Sequence, residues 1–209
     1  MSIQSTNVKA LLQAITDSFE ANKEALCAFD RAIGDGDHGD SMARGTQEGI
    51  KAVLALPEDE TVANCFKVYS RAMLATIGGA IGPIFSTVIS ELGKASKASG
   101  QIDTEEYITG LNNAAAKVMD LGGAKVGDKT LVDALVPAAE AAKLCEGKSL
   151  AEVAFAAQKA AGEGVESTIN MQAKMGRSHF LREKSVGHQD AGATSLYYML
   201  QTIYEFVKE

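Results

Sequence analysis

The chain has 209 residues, of which 46% are hydrophobic and 22% charged, enough for one soluble globular domain spanning 1–209 with a sizeable core. Its net charge of -7 and pI near 5.1 argue against a nucleic-acid or anionic-membrane surface. Cys27, Cys65 and Cys145 are odd in number and far apart, so neither a disulfide framework nor a zinc site is expected.

Thirty-three alanines and a scarcity of alternating β-branched runs favour helix throughout. In chain order, helices are expected near 5–28, 41–55, 60–77, 83–98, 103–120, 130–146, 149–173 and 192–208. Val8, Leu11, Leu12, Ile15 and Phe19 set the apolar stripe of the first; Val62, Phe66, Tyr69, Met73 and Ile77 that of the third. Asp103 or Thr104 caps the fifth, and Ser149 with Glu152 reads as a capping box on the seventh. The uncharged stretch 72–90 is broken by Gly78-Gly79 and Gly82-Pro83, which suits two helices and a glycine loop better than a membrane span. Residues 1–10 carry no signal-peptide core, and a cytoplasmic protein is expected.

The connections are of two kinds. Those around Pro57, Gly100 and Gly147 are short and plain. Those at 30–40, 78–82, 122–129 and 174–191 are glycine-rich and hold nearly all the unusual polar residues. In an up-and-down bundle alternate loops emerge at the same end, so these four are expected to form one composite site on one rim.

The first of them, Asp30-Arg31-Ala32-Ile33-Gly34-Asp35-Gly36-Asp37-His38-Gly39-Asp40, packs four carboxylates and three glycines into eleven residues. Such a cluster calls for a cation, although a solvated acidic turn with Asp40 capping the next helix fits as well. A calcium loop of the EF-hand type fails, because Gly39 and Thr46 stand at its fifth and twelfth positions; magnesium shared with phosphate fits better. Gly78-Gly79-Ala80-Ile81-Gly82-Pro83 leads into a helix N-terminus and suits a phosphate, or equally a tight turn. Lys129 and Arg177 are candidate phosphate cations or solvated surface residues, and Thr130 is a candidate cap for the sixth helix. His38, His179 and His188 all fall in rim loops, which is hard to ascribe to core filling. No Ser-His-Asp or Cys-His order supports a hydrolase.

Ile33-Gly34-Asp35-Gly36-Asp37-His38-Gly39, Gly78-Gly79-Ala80 with Gly82-Pro83, Gly127-Asp128-Lys129-Thr130, Gly176-Arg177 and Gly187-His188-Gln189-Asp190 together resemble the nucleotide-binding L subunit of dihydroxyacetone kinases from end to end. The resemblance implies an all-α closed barrel of eight antiparallel amphipathic helices with a nucleotide at one rim. It implies two magnesium ions held by Asp30, Asp35 and Asp37. It implies that ADP or ATP is lined by His38, Gly39, Asp40, Ser41, Ala80, Ile81, Gly122, Leu131, Arg177, Asp190, Ala191 and Gly192. The γ-phosphate would pass to a ketose on a separate K subunit, so no catalytic acceptor base is expected in this chain. Some members use ATP; others keep ADP and recharge it from a phosphotransferase-system phosphoprotein. A homodimer is compatible with the resemblance, and the rival reading is a non-catalytic ADP/ATP sensor for a regulatory protein. Fatty-acyl kinase nucleotide domains are a third, but those usually carry Asp-Gly-Asp-Thr-Gly. Ile81, Ser41, Gly123, Arg182 and Ala191 depart from the common serine, asparagine, lysine, glycine and proline. These departures bear on the partner and the sugar, for which a tetrulose is a candidate.

Overall fold

The computed structural model describes residues 1–208. Apolar stripes at helical spacing give α1 (Val8–Ala21), α2 (Lys23–Ile33), α3 (His38–Leu54), α4 (Val62–Thr76), α5 (Ile81–Ala95), α6 (Thr104–Gly122), α7 (Val132–Leu144), α8 (Leu150–Thr168) and α9 (Ala191–Val207). A 3-10 segment, Arg177–Ser185, lies between the last two. Val8, Leu11, Leu12, Ile15 and Phe19 are all fully buried, as are Leu196, Met199 and Leu200 on α9. Among the described residues there is no strand beyond an isolated bridge between Ile3 and Ile102, and no helix long and apolar enough to cross a membrane.

Each helix packs on its neighbours in the chain, and α9 returns to α1 and α2, which closes the ring. The expected first helix is two. Asn22 ends α1 by returning both its N–H and its side-chain amide to the Ser18 carbonyl, 3.1 and 2.8 Å, and a competing side-chain bond of this kind breaks the helical ladder. Both halves still pack on α3 and α9, so the kinked pair fills one of eight places in the barrel.

The capping box on α8 forms as expected, and of the two candidate caps for α6 it is Asp103 that serves, in a second capping box. Asp103 pairs with Glu106 and Ser149 with Glu152. Helices approach closely where a side chain is missing: a Cβ on Gly164 of α8 would lie 2.3 Å from the Asp133 carbonyl oxygen of α7. Two boundaries need correction. Helix α3 starts at His38, with Asp37 at its N-cap, so Asp40 sits inside the first turn and is not a cap. Helix α8 ends at Thr168, earlier than expected, because the chain turns to build the rim.

Candidate functional site

The four polar loops do meet at one end of the barrel. Asp30, near the end of α2, organises the first. Its Oδ2 accepts the N–H groups of Gly36 and Asp37 at 2.7 and 3.1 Å, which curls the loop around the carboxylate. Gly34 is required there, since a Cβ would stand 2.2 Å from Asp30 Oδ1. The curl brings one oxygen each from Asp30, Asp35 and Asp37 within 4.8 Å of one another. Three carboxylates that close repel strongly without a cation. In this structure the Arg177 guanidinium, from the fourth loop, pairs with Asp35 and supplies part of that charge. The donor set is hard, oxygen-only and partly open to solvent, which suits magnesium.

The second loop borders the same chamber as the cluster. Gly79 takes a left-handed φ of 69°, and Ala80 and Ile81 deliver the N-terminus of α5, whose first N–H groups have no intrahelical partner.

Loops three and four are tied to each other. Lys129, a candidate phosphate cation or surface residue, is no surface residue: it is 1% exposed and has φ 61°. Its ammonium donates to the carbonyls of Thr168, at 2.6 Å, and His188. Burial lowers its pKa, against the pull of Asp190 and Asp133. Asp133, in the first turn of α7, collects the N–H groups of Gly127 and Thr130 at 2.5 and 2.7 Å. Thr130 lies before the N-cap of α7, which is Leu131, and its hydroxyl accepts from Val132 N–H at 3.2 Å. Asp190 caps α9 through Ala193 N–H at 2.7 Å, and burial raises its carboxyl to about 6.

Between the loops lies a cavity in two joined parts, each about 310 Å³. One is walled mainly by apolar side chains, including Ile84, Val118, Leu131, Val132 and Met175. The other is polar and holds the three aspartates, Ser41, Arg44, Gly78 and Gly79. Asp30, His38, Ala80, Ile81 and Arg177 border both. Gly122, Leu131, Asp190, Ala191 and Gly192 line the apolar part.

Two of the expected residues face elsewhere. A Cβ on Gly39 would meet the Lys23 carbonyl at 2.0 Å, so this residue seats α3 on α2, and Asp40 is paired with Lys23 at 2.9 Å. His38 is 8% exposed, and its Nε2 lies 2.6 Å from the Ser195 hydroxyl of α9. Desolvation pulls its pKa down to about 4 despite the Asp30 charge, so it is neutral near pH 7. It fills space between α3 and α9 as well as bordering the cavity, while His179 and His188 are exposed. Arg44 was not foreseen; its one signal is its place three residues after Ser41 on the same helical face, where it donates to the Ser41 hydroxyl at 3.3 Å.

The DAK2 domain family matches residues 32–205. The chain is 36% identical to the ADP-binding subunit DhaL of the PEP-dependent dihydroxyacetone kinase of Escherichia coli strain K12, over the full length of both. It is 35% identical to L-erythrulose kinase of Pectobacterium atrosepticum, over 94% of this chain but 34% of that one. The crystal structure of dihydroxyacetone kinase from C. freundii in complex with AMP-PNP and Mg2+ superposes with a TM-score of 0.72 and 25% identity, over 95% of this chain and 33% of that one. The chain thus spans about a third of the two longer proteins.

Proposed function

The chain belongs to the DAK2 domain family, and on that premise we propose that residues 1–209 form the nucleotide-binding, phosphoryl-donating subunit of a cytoplasmic short-ketose kinase. The observation that carries this reading is the pairing of an apolar slot with a carboxylate-lined chamber, built from four loops far apart in sequence.

In this reading the adenine base lies between Leu131, Val132 and Val118, and the phosphates lie in the polar chamber. Asp30, Asp35 and Asp37 hold two magnesium ions, which when bound neutralise charge on the phosphate oxygens. Arg177 and Arg44, with the N–H groups at the start of α5, contribute the remaining positive field. Ser41, Asp190, Ala191 and Gly192 shape the rest of the pocket, and neutral His38 fixes α3 against α9 beside it. Activation of the acceptor hydroxyl is assigned to a K-type partner that carries the ketose. Because the relative matched end to end is named ADP-binding and PEP-dependent, ADP is taken to stay bound and to be recharged from a phosphoprotein.

Reconstitution tests the reading. With a K-type subunit, dihydroxyacetone and a phosphoenolpyruvate-driven donor, sugar phosphate should accumulate only when the chain is present, and acid should release about one ADP per freshly purified chain. Asp35→Ala or Asp37→Ala should abolish magnesium-dependent ADP binding in calorimetry. Undiminished ADP affinity in both variants would refute the metal assignment, and tight ADP without turnover would refute the kinase role.

A further inference from the structure

The 3-10 segment Arg177–Ser185 rises beside the cavity mouth, and its middle is kinked at Arg182, with φ 51° and ψ -125°. Those angles match the first central residue of a type II′ turn, a conformation dominated by glycine because a Cβ crowds the backbone there. Besides Lys129, this is the only non-glycine residue with positive φ among those described. Lys129 has an evident reason, since from the interior it ties the end of α8 to the fourth loop. Arg182 has none within the chain: it is exposed, and its guanidinium makes no ion pair or hydrogen bond with any described residue.

The backbone is nevertheless pinned in this shape. Ser185 is fully buried; its hydroxyl donates to the Arg182 carbonyl at 2.5 Å and accepts Ala173 N–H at 2.9 Å. Gly187 N–H donates to the Ile169 carbonyl at 2.7 Å, which closes the base of the loop. A strained residue held by its surroundings, with no internal use for its side chain, points to a use outside the molecule.

The neighbours of Arg182 give that use its chemistry. Phe180 is 83% exposed, and its ring meets that of His179 in an edge arrangement at 5.7 Å between centroids. Arg177, Arg182 and Lys184 face a single acid, Glu183, in this segment, on a chain whose net charge is -7. Arg177 is held by Asp35, but Arg182 and Lys184 have no side-chain partner among the described residues, and an exposed phenyl beside two such cations is the composition of a protein-docking hot spot.

We propose that Arg182 is a specificity residue for the acceptor-bearing partner, whose docking face carries carboxylates around a shallow apolar recess for Phe180. The inference rests on the proposed function, because it takes the partner to be the K-type subunit that must meet this rim. Electrostatic pairing of this kind sets association rate and partner choice more than total affinity.

The test measures stability, nucleotide binding and docking on the same variants. Arg182→Gly relieves the backbone and should raise Tm by ~2–10 °C. It should leave the ADP dissociation constant within about twofold, weaken binding to the ketose-loaded K-type subunit of the same organism at least ~10-fold, and flatten the dependence of the association rate on salt. Arg182→Lys, equally strained but still charged, should retain binding within about threefold, and Phe180→Ala should weaken it by ~10-fold or more without changing the salt dependence. Unchanged docking in Arg182→Gly, alongside its higher Tm, would overturn the inference and leave the proposed function standing. An unmodified chain that binds ADP but never the K-type subunit would overturn the proposed function itself.

Discussion

His38 and Asp190 border the same cavity, and burial moves both away from their ordinary titration, in ways that oppose each other. The His38 pKa is depressed from 6.5 to about 4, so its neutral burial stabilises the fold above pH 6.5 and that contribution fades as pH falls toward 4. The Asp190 pKa is raised from 3.8 to about 6, so its contribution is present at low pH and is lost as pH rises through 6. Between pH 7 and pH 5 the histidine should cost about 2 kcal/mol and the aspartate return about 1 kcal/mol. Asp190→Asn keeps an N-cap acceptor for Ala193 but removes the compensating titration. On chelator-treated, ligand-free protein, urea unfolding should therefore show a loss steeper by about 1 kcal/mol in this variant across that range; parallel profiles would contradict the opposition. The aspartate run was legible because the order of residue types carries its own chemistry. Lys129 was not, because a lysine in a glycine-rich loop looks solvated until the end of α8 and the fourth loop bring the Thr168 and His188 carbonyls to its ammonium. Gly39 and Asp40 show the same limit: starting α3 at His38 turns them toward α2, a contact that no local pattern specifies.

At the scale of elements, caps and stripes were readable and contacts between helices were not. Asp103 as a cap residue and Ser149 with Glu152 announce two starts by local chemistry alone, whereas the break at Asn22 depends on one amide reaching back to Ser18. Glycines within helices are ambiguous in sequence in the same way. Gly164 lies against backbone of α7, whereas a Cβ on Gly162, half a turn away, would meet the Tyr197 ring at 3.2 Å. Gly164→Ala should destabilise by about 1–3 kcal/mol, since backbone cannot yield as a side chain does. Gly162→Ala should gain up to ~1 kcal/mol of helix propensity as the ring shifts slightly. Chemical denaturation of the pair checks this, and equal effects of the same sign would show that α7 and α8 are less tightly set than their geometry indicates. The Gly164 change should also disturb the rim, because the carbonyl it displaces belongs to Asp133, whose carboxylate holds the third loop.

For the whole molecule, the barrel closes α9 onto α1 and α2, and alternate connections are thereby forced to one end. That consequence of an even number of antiparallel helices was visible in the spacing of four glycine-rich loops; the closure of the ring was implied only by the family resemblance, since nothing local specifies which helices become neighbours. The central claim is that these four loops form one site for a magnesium nucleotide. It predicts a coupled response to ligands, because the metal needs aspartate and phosphate oxygens together. A ligand that binds only the folded state stabilises it by about 4 kcal/mol at a thousandfold excess over its dissociation constant, or roughly 8–16 °C in Tm for a domain of this size. The decisive measurement is thermal unfolding of chelator-stripped protein with magnesium, with ADP, and with both. A shift with both that far exceeds the sum of the two alone is the predicted result; a magnesium shift that ADP does not enlarge would contradict it.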